Sequence, residues 1–598
     1  MTVIERLAML RGMMAAFGLQ AYYVPTNDYH GSEYIGDYFK CREFLSGFTG
    51  SAGTLVVLSN EAGLWTDGRY FLQAERELAG TGITLYRMGE EGVPTVLEFL
   101  EEKLSAGQNL GFDGAVVDAA FAKKLAEIAE KKGAFITSEV DLIGDIWAER
   151  PALTMEPAYS LNVKYAGVSR EEKIQQVSQK LKESGADMLV LTSLDDIAWL
   201  LNIRGGDIHC NPVVMSFFVL TPLEKLLFAR KEAFGERMKQ ELASAGVMLR
   251  EYEMIFDYVS RVPAGTKISM DLNIVSYALM KMVPGEALII NQKNPTYALK
   301  AVKNPVEIGN ERVAHIKDGV ALVRFIYWLK QNMGKVPLTE MQASQVLEQC
   351  RNGVGNYMGP SFDTIAGFGS NGAIVHYNVT PETNAALQPE QFLLLDSGGH
   401  YLEGTTDVTR TIFLGNNPTN EQKKYYTAVL RGQLALTSAK FKYGCTGVSL
   451  DYLARAPLWD MGCDYNHGTG HGVGFLLNVH EGPNAFRYKV SSEPEENAVL
   501  EEGMITSNEP GIYLEGKFGI RLENLLLCVK REKTEFGQFM GFEPLTLVPF
   551  ERTVIDVAAL TARERSVLNW YHKLVFEKLS PYLTEPEKKW LQEECAPL

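Results

Sequence analysis

Residues 391–413 read QFLLLDSGGHYLEGTTDVTRTIF, and this stretch predicts two strands joined by a turn. An apolar run typical of a buried strand ends at Asp396, and a β-branched run starts just after Asp407. Residues 401–404 suit the turn between them. If the strands form a hairpin, both aspartates lie together in apolar surroundings. Buried carboxylates are costly without a partner, so a bound cation is the economical explanation.

Two further acidic residues stand in similar apolar runs downstream. Glu509 ends the strand-like segment that begins at Met504, and Glu523 lies within a predicted strand from Gly519. Arg521 shares a face of that strand with Glu523, because side chains alternate with a period of two. Taken singly, each acid is more often a turn cap or an ion-pair partner. Four of them in one region favour a site for one or two divalent metal ions.

Histidines are concentrated in the same region of the chain. Of nine histidines, His467, His471 and His480 fall within residues 467–480, which begin His-Gly-Thr-Gly-His-Gly-Val-Gly. The glycines disfavour a helix, and the glutamate of a helical His-Glu-x-x-His zinc site is absent. A single histidine is usually structural. Three in glycine-rich sequence favour an active-site loop or strand.

The types of the candidate ligands narrow the choice of metal. Four carboxylates and an imidazole, without a thiolate, favour harder ions such as Mn²⁺ over a structural zinc site. Carboxylates that bridge two ions would hold them roughly 3.5–4 Å apart, with a shared water that becomes a nucleophile near neutral pH.

Together these residues resemble the five-ligand set of the pita-bread metallopeptidases. The segments 371–377 (NGAIVHY), 467–474 (HGTGHGVG) and 507–511 (SNEPG) are similar to the aminopeptidase P members in particular. Segments 47–53 (GFTGSAG) and 66–71 (TDGRYF) resemble the first domain of the long, three-domain cytosolic form of that group. The resemblance covers essentially the whole chain.

The resemblance implies a ligand set and a reaction. Asp407 and Glu523 would bridge two divalent ions, expected to be Mn²⁺; Asp396 would chelate one ion, and His471 and Glu509 would complete the other. The bridging hydroxide would attack the first carbonyl of a peptide whose second residue is proline. Glu509 would then carry the proton to the leaving nitrogen.

The resemblance also implies roles for residues that do not bind metal. His376 and His480 would bind the carbonyl oxygen and stabilise the tetrahedral oxyanion. His467 would line the substrate pocket, and Arg521 would orient the ligand carboxylates.

The predicted fold class is α/β (α+β) with three domains. A helix–glycine–strand pattern ending at Asp28 recurs with the same spacing before Asp195, which indicates two related α/β units. Prolines at the ends of residues 151–157 and within residues 294–305 mark boundaries. We expect creatinase-like domains at 1–155 and 156–304, and a pita-bread metallopeptidase domain with a helical tail at 305–598.

Composition excludes several classes of function. The chain has 598 residues and a formal net charge of −16, which disfavours nucleic acid or an anionic membrane as a partner. Its apolar runs are too short for a membrane helix, and charges at the N-terminus disfavour a signal peptide. Seven scattered cysteines favour a reducing compartment. We expect a cytoplasmic protein, and the resemblance implies a homodimer.

Two alternatives to an Xaa-Pro aminopeptidase remain open at this point. One is a prolidase-type dipeptidase, against which the second N-terminal α/β unit and the longer motifs argue. The other is a peptidase-like binding module without catalysis, which is disfavoured because none of the five ligand positions is substituted.

Overall fold

The computed structural model describes residues 1–491 and 497–598. Two compact units divide the chain: an amino-terminal unit of residues 1–161 and 168–296, and a carboxy-terminal unit of residues 162–167 and 297–598. Among the described residues, no helix combines the length and the apolar character that crossing a membrane requires.

The first half of the amino-terminal unit is a six-stranded sheet covered by helices. Its strands are β1 Ala21–Pro25, β2 Thr54–Leu58, β3 Ala62–Thr66, β4 Thr84–Arg87, β5 Asn109–Phe112 and β6 Phe135–Thr137. Its helices are α1 Val3–Ala16, α2 Cys41–Ser46, α3 Phe71–Glu77, α4 Val96–Lys103, α5 Ala119–Lys132 and α6 Leu142–Ile146. The strand order is β4-β3-β2-β1-β5-β6.

The second half of this unit repeats the same design. Its strands are β7 Tyr159–Ser160, β8 Met188–Leu191, β9 Ile203–Arg204, β10 Ser216–Leu220, β11 Lys225–Ala229, β12 Met248–Arg250, β13 Lys267–Met270 and β14 Leu288–Asn291. Its helices are α8 Arg170–Glu183, α9 Leu194–Leu201, α10 Glu236–Ser244, α11 Met254–Ser260 and α12 Tyr277–Lys281. The sheet order β12-β11-β10-β8-β13-β14 matches the first sheet strand for strand, in direction as well as order. The predicted internal repeat is confirmed.

The carboxy-terminal unit mixes longer helices with several small sheets. Its helices are α7 Val163–Ala166, α13 Pro295–Ala301 (within which the division between units falls), α14 Pro305–Asn332, α15 Glu340–Asn352, α16 Asn420–Thr437, α17 Val448–Trp459, α18 Ala562–Leu579 and α19 Glu585–Glu594. Its strands are β15 Tyr357–Pro360, β16 Ile365–Phe368, β17 Phe392–Ser397, β18 Gly399–Tyr401, β19 Gly404–Thr405, β20 Val408–Phe413, β21 Lys440–Lys442, β22 Gly470–Gly472, β23 Glu481–Phe486, β24 Ile505–Asn508, β25 Gly511–Leu514, β26 Phe518–Arg521, β27 Asn524–Thr534 and β28 Gly537–Pro544.

Helix α14 supports the strands that carry the first two acids. It begins with a capping box, in which the side chains of Asn304 and Glu307 satisfy exposed backbone N–H groups, and Pro305 suits the first turn. Its apolar face, including Phe325 and Leu329, packs in one buried cluster with the apolar residues of β17 and β20. Each such side chain stabilises the fold by roughly 1.5–3 kcal/mol. Packing against α14 therefore holds the β17–β20 hairpin in a fixed position.

Two sheets of this unit surround the predicted ligands. Strands β16, β17 and β20 form one antiparallel sheet, and β21-β28-β27-β24-β22-β23 form the other. The strand predicted from Gly519 is in fact two strands, β26 and β27, interrupted at residues 522–523. Strand β26 pairs with β25, whereas β27 pairs with β24 and β28, so the chain changes sheets at this point.

Candidate metal centre

The predicted hairpin of β17 and β20 brings two acids to one place. The strands pair antiparallel with Asp396 opposite Thr409, and Asp407 immediately precedes β20. Asp407 and Thr409 share a face of the chain because their side chains are two residues apart. Both aspartates are buried, with 8% and 4% of their surface exposed.

His471 reaches the acids from the middle of β22. A Cβ on Gly470 would lie 1.8 Å from the Ser507 carbonyl oxygen, so the close approach to β24 requires glycine there. Nδ1 of His471 donates to the Gly472 carbonyl oxygen at 2.9 Å. Its Nε2 consequently faces the carboxylates, 3.5 Å from Asp407 Oδ2 and 3.4 Å from Glu509 Oε1.

The two glutamates complete the group from the ends of neighbouring strands. Glu509 follows β24 directly, and the Ser507 hydroxyl donates to its Oε1 at 3.0 Å. Glu523 lies where the chain passes from β26 to β27, and the Thr409 hydroxyl donates to its Oε2 at 2.8 Å. One ligand atom each of Asp407, His471 and Glu523 lies within 4.8 Å of the other two.

Arg521 connects Asp396 with the surrounding side chains. Its Nη2 lies 2.6 Å from Asp396 Oδ2, and its Nε donates to the Thr409 hydroxyl at 3.2 Å. Its Nη1 donates to the Tyr513 hydroxyl oxygen at 2.7 Å. The guanidinium thus orients a carboxylate while both groups are buried.

Crowding of these buried charges changes their protonation. Burial raises the pKa of Glu509 to about 7, with the Asp407 charge adding to the effect and His471 opposing it. Burial and the neighbouring carboxylates also raise the pKa of Glu523 well above its usual value. Burial works against the charged form of His471, yet the hydrogen bond to Asp407 and the charge of Glu509 raise its pKa to about 9. Such a cluster favours a bound cation.

Three further predicted residues occupy different positions around the cluster. The ring of His480 lies edge-on to that of His471, with ring centroids 4.3 Å apart. His467 Nε2 lies 2.8 Å from the Tyr513 hydroxyl, which links it to Arg521. His376 is half-buried in the turn after the 3₁₀ helix Gly369–Ala373.

Several residues of the site were not predicted. Thr409 could have been found, because alternation places it on the face of Asp407. Tyr513 had no comparable signal, since its position opposite Gly519 depends on the pairing of β25 with β26. Arg410 donates to main-chain oxygens of Thr409 and Glu523 from the opposite face of β20.

Comparison with known protein families identifies each part of the chain. Residues 310–530 match metallopeptidase family M24, and residues 538–598 match the C-terminal region of that family. Residues 6–142 and 149–307 each match the creatinase/prolidase N-terminal domain. The repeat in the amino-terminal unit is therefore a pair of related domains.

Full-length relatives place the chain within that family. A probable Xaa-Pro aminopeptidase P of Laccaria bicolor is 39% identical over 608 residues, covering 99% of this chain and 93% of the relative. Aminopeptidase P1 of Arabidopsis thaliana is 38% identical over 648 residues, covering 99% of each chain. The chain belongs to the aminopeptidase P members of metallopeptidase family M24. This confirms the resemblance that the motifs indicated.

Solved structures agree with this membership. The crystal structure of X-prolyl aminopeptidase from Caenorhabditis elegans, described as a cytosolic enzyme with a dinuclear active site, superposes with a TM-score of 0.94 at 34% identity and covers 100% of both chains. An Xaa-Pro dipeptidase from Bacillus anthracis has a TM-score of 0.50 at 23% identity over 64% of this chain, which shows a shared fold only. The predicted fold class is confirmed for this M24 member.

Proposed function

We propose that this M24 member is an Xaa-Pro aminopeptidase, which releases the N-terminal residue from peptides with proline at position two. The observation that carries the proposal is the convergence of Asp396, Asp407, His471, Glu509 and Glu523 in the carboxy-terminal unit. The names of its full-length relatives support the same activity.

The five residues fit a pair of divalent ions. Asp396 Oδ1 and Glu523 Oε1 are buried and have no hydrogen-bond partner among the described residues. These lone pairs, the crowded acids and a donor set of oxygen and imidazole without thiolate suit a hard cation, and we favour Mn²⁺. We propose the ligand set stated above, with Asp407 and Glu523 shared by both ions. Bound there, the ions would lower the pKa of water and polarise a carbonyl.

Around the ions, protein groups would move protons and bind oxygen. Glu509 Oε1 lies on the side of the cluster that His471 faces, so its carboxylate can accept a proton and pass it to the leaving nitrogen. That proton matters because the proline nitrogen would otherwise have to leave as a strongly basic amide anion.

Three histidines would bind the substrate. We assign His480 and His376 to the substrate carbonyl oxygen, which becomes an oxyanion during attack. The contact of the His480 ring with His471 supports the assignment for His480. We assign His467 to the wall of the substrate pocket, where the Tyr513 hydroxyl fixes its ring. Arg521 would orient Asp396.

Organisation and location complete the proposal. We propose domain bounds of 1–155, 156–304 and 305–598, a homodimer, and a cytoplasmic location. The description of the C. elegans structure as a cytosolic enzyme supports the last point. Light scattering of the eluting peak in size-exclusion chromatography would test the dimer, since a monomeric mass contradicts it.

Paired peptides test the activity directly. Purified protein with Mn²⁺ should release arginine from an Arg-Pro-Pro peptide and leave the matched Arg-Ala-Pro peptide intact. Equal cleavage of both would contradict the proline requirement. An Xaa-Pro dipeptide assayed beside a pentapeptide separates this proposal from a dipeptidase, which would cleave the dipeptide only.

Elemental analysis of the same protein tests the metal proposal. Two equivalents of a divalent ion should be present in active protein, and dialysis against a chelator should remove both ions and the activity. Restoring activity with Mn²⁺ more effectively than with Zn²⁺ would support the choice of manganese.

A further inference from the structure

A buried arginine on α17 contacts the loop that carries the candidate pocket histidine. Nε of Arg455 donates to Asp451 Oδ2 at 2.8 Å on its own helix. Its Nη1 donates to Asp464 Oδ1 at 2.7 Å and to the Tyr465 carbonyl oxygen at 2.9 Å. Its Nη2 donates to the His467 carbonyl oxygen at 2.7 Å. The side chain of Arg455 is fully buried.

We propose that Arg455 is a positioning residue for His467 and thereby determines how tightly the substrate pocket holds a peptide. The inference rests on the proposed function for the role of His467, but its structural part does not. The hydrogen bonds described for Arg455 go to its own helix and to residues 464–467, and none goes to a proposed metal ligand, so it acts through this loop.

The ring of His467 has one orientation that satisfies its neighbours. Nδ1 lies 2.7 Å from the Gly468 carbonyl oxygen, which can only accept, so Nδ1 carries the hydrogen. In the neutral ring Nε2 therefore accepts the hydrogen of the Tyr513 hydroxyl, whose oxygen in turn accepts from Arg521. A small shift of the main chain at residues 467–468 would break this arrangement.

Arg455 prevents that shift because of its shape. Its planar guanidinium presents N–H groups in a fixed fork and reaches the helix on one side and three points of the loop on the other. It also lies 3.9 Å from the centre of the Tyr465 ring. A lysine would keep the charge but could not reach both the loop carbonyl oxygens and Asp451 at once.

The charge balance explains why the arginine is stable in the interior. Asp451 is fully buried beside it, whereas 41% of the Asp464 side chain is exposed. A buried cation with a buried partner and several acceptors is satisfied. Arg455 thereby connects the loop of residues 464–467 to helix α17 inside the protein. Of the hydrogen bonds of Arg455, the one to Asp464 lies nearest to solvent.

The conservative variant Arg455→Lys tests the proposal. We expect KM for an Xaa-Pro tripeptide to rise about tenfold and kcat to change less. The reason is that a displaced His467 would make weaker contacts with the bound peptide. The content of bound metal should stay the same. Arg431→Lys, on the neighbouring α16, is the control, because Arg431 pairs with Glu564 away from this loop.

A double-mutant cycle separates positioning from general damage. In a His467→Ala background, Arg455→Lys should raise KM by less than about twofold, because the group through which it acts is gone. Independent, multiplying effects would overturn the proposal, and so would loss of metal in Arg455→Lys. No effect of His467→Ala on the wild-type protein would instead refute the proposed role of His467.

The NMR signal of His467 tests the structural part of the proposal independently of any activity measurement. In protein labelled with ¹⁵N-histidine, the His467 signal is assigned by its loss in His467→Ala. It should move in Arg455→Lys and less in Asp464→Asn, while the His572 signal stays in place. An unmoved His467 signal would overturn the proposal, whatever peptides the enzyme cleaves. If Arg455→Lys does not fold, Asp464→Asn alone must still move the His467 signal.

Discussion

Arg521 hydrogen-bonds to one oxygen of Asp396, and no described residue hydrogen-bonds to the other. Its Nη2 lies 2.6 Å from Oδ2, while Oδ1 is buried and has no hydrogen-bond partner among the described residues. The carboxylate is therefore held in one orientation with a lone pair directed elsewhere. This arrangement is expected of a carboxylate that binds a metal ion through Oδ1 while a neighbouring guanidinium holds Oδ2.

Replacing Arg521 with lysine should weaken metal binding without removing any ligand. We expect the affinity for Mn²⁺ to fall about 10- to 100-fold, because Asp396 loses its fixed orientation. Titration of metal-free protein with Mn²⁺ measures this. The exposed Arg563→Lys is the control, and equal affinity in both variants would contradict the role of Arg521.

Asp407→Ala should abolish both bound metal and turnover. The lost ligand is shared between the ions in our proposal, so we expect activity to fall at least about a thousandfold. Metal content and peptide cleavage are measured on the same sample, beside Glu515→Ala in the exposed β25–β26 turn. Activity that survives the change would show that the metal assignment is wrong.

Metal binding should be coupled to proton release. Burial raises the pKa of Glu509 to about 7 and that of Glu523 well above its usual value, so the metal-free protein holds protons that a cation must displace. Affinity should therefore rise from pH 6 to pH 8. Calorimetry at pH 6.5 in buffers of different ionisation enthalpy measures the release, and equal heats in all buffers would contradict it.

Two glycines of one motif should respond differently to alanine. A Cβ on Gly470 would lie 1.8 Å from the Ser507 carbonyl oxygen, whereas one on Gly468 would meet nothing closer than 3.5 Å. Gly470→Ala should separate β22 from β24, displace His471 and remove most activity and metal. Gly468→Ala should keep both. Equal tolerance in metal content would show that the strands can separate without harm.

His572 should make the carboxy-terminal unit sensitive to acid. Burial and nearby arginines lower its pKa to about 3, and its Nε2 accepts from the Phe550 N–H. Unfolded histidine binds a proton below about pH 6.5, so the unfolded state binds more protons between pH 3 and 6.5. The stability that the neutral His572 contributes is complete above pH 6.5 and is lost progressively as the pH falls from 6.5 towards 3.

The expected loss from His572 between pH 8 and pH 5 is about 2 kcal/mol. Urea unfolding at both pH values measures it. His572→Gln keeps an oxygen acceptor for the Phe550 N–H but has no titrating group. The urea midpoint of this variant should therefore fall less between pH 8 and pH 5 than that of the wild-type protein. Equal falls in both proteins would contradict the assignment.

Periodic patterns predicted most of the local structure, and they were wrong where the chain changes sheets. Alternation placed Arg521 and Glu523 on one continuous strand, yet β26 ends at Arg521 and β27 begins at Asn524. Both side chains still reach the site, because Arg521 contacts Asp396 and Glu523 contacts Thr409. A transfer between sheets leaves no mark in the alternation of apolar residues, so sequence reasoning could not detect it.

Residue patterns alone predicted the hairpin, the duplicated α/β unit and the candidate ligands, because these features follow from spacing within short segments. Folding alone decided that Arg521 meets Asp396, that Tyr513 joins His467, and that Arg455 holds the histidine loop. Those contacts join residues from different strands and helices. Their geometry depends on strand register and helix packing, which no single segment encodes.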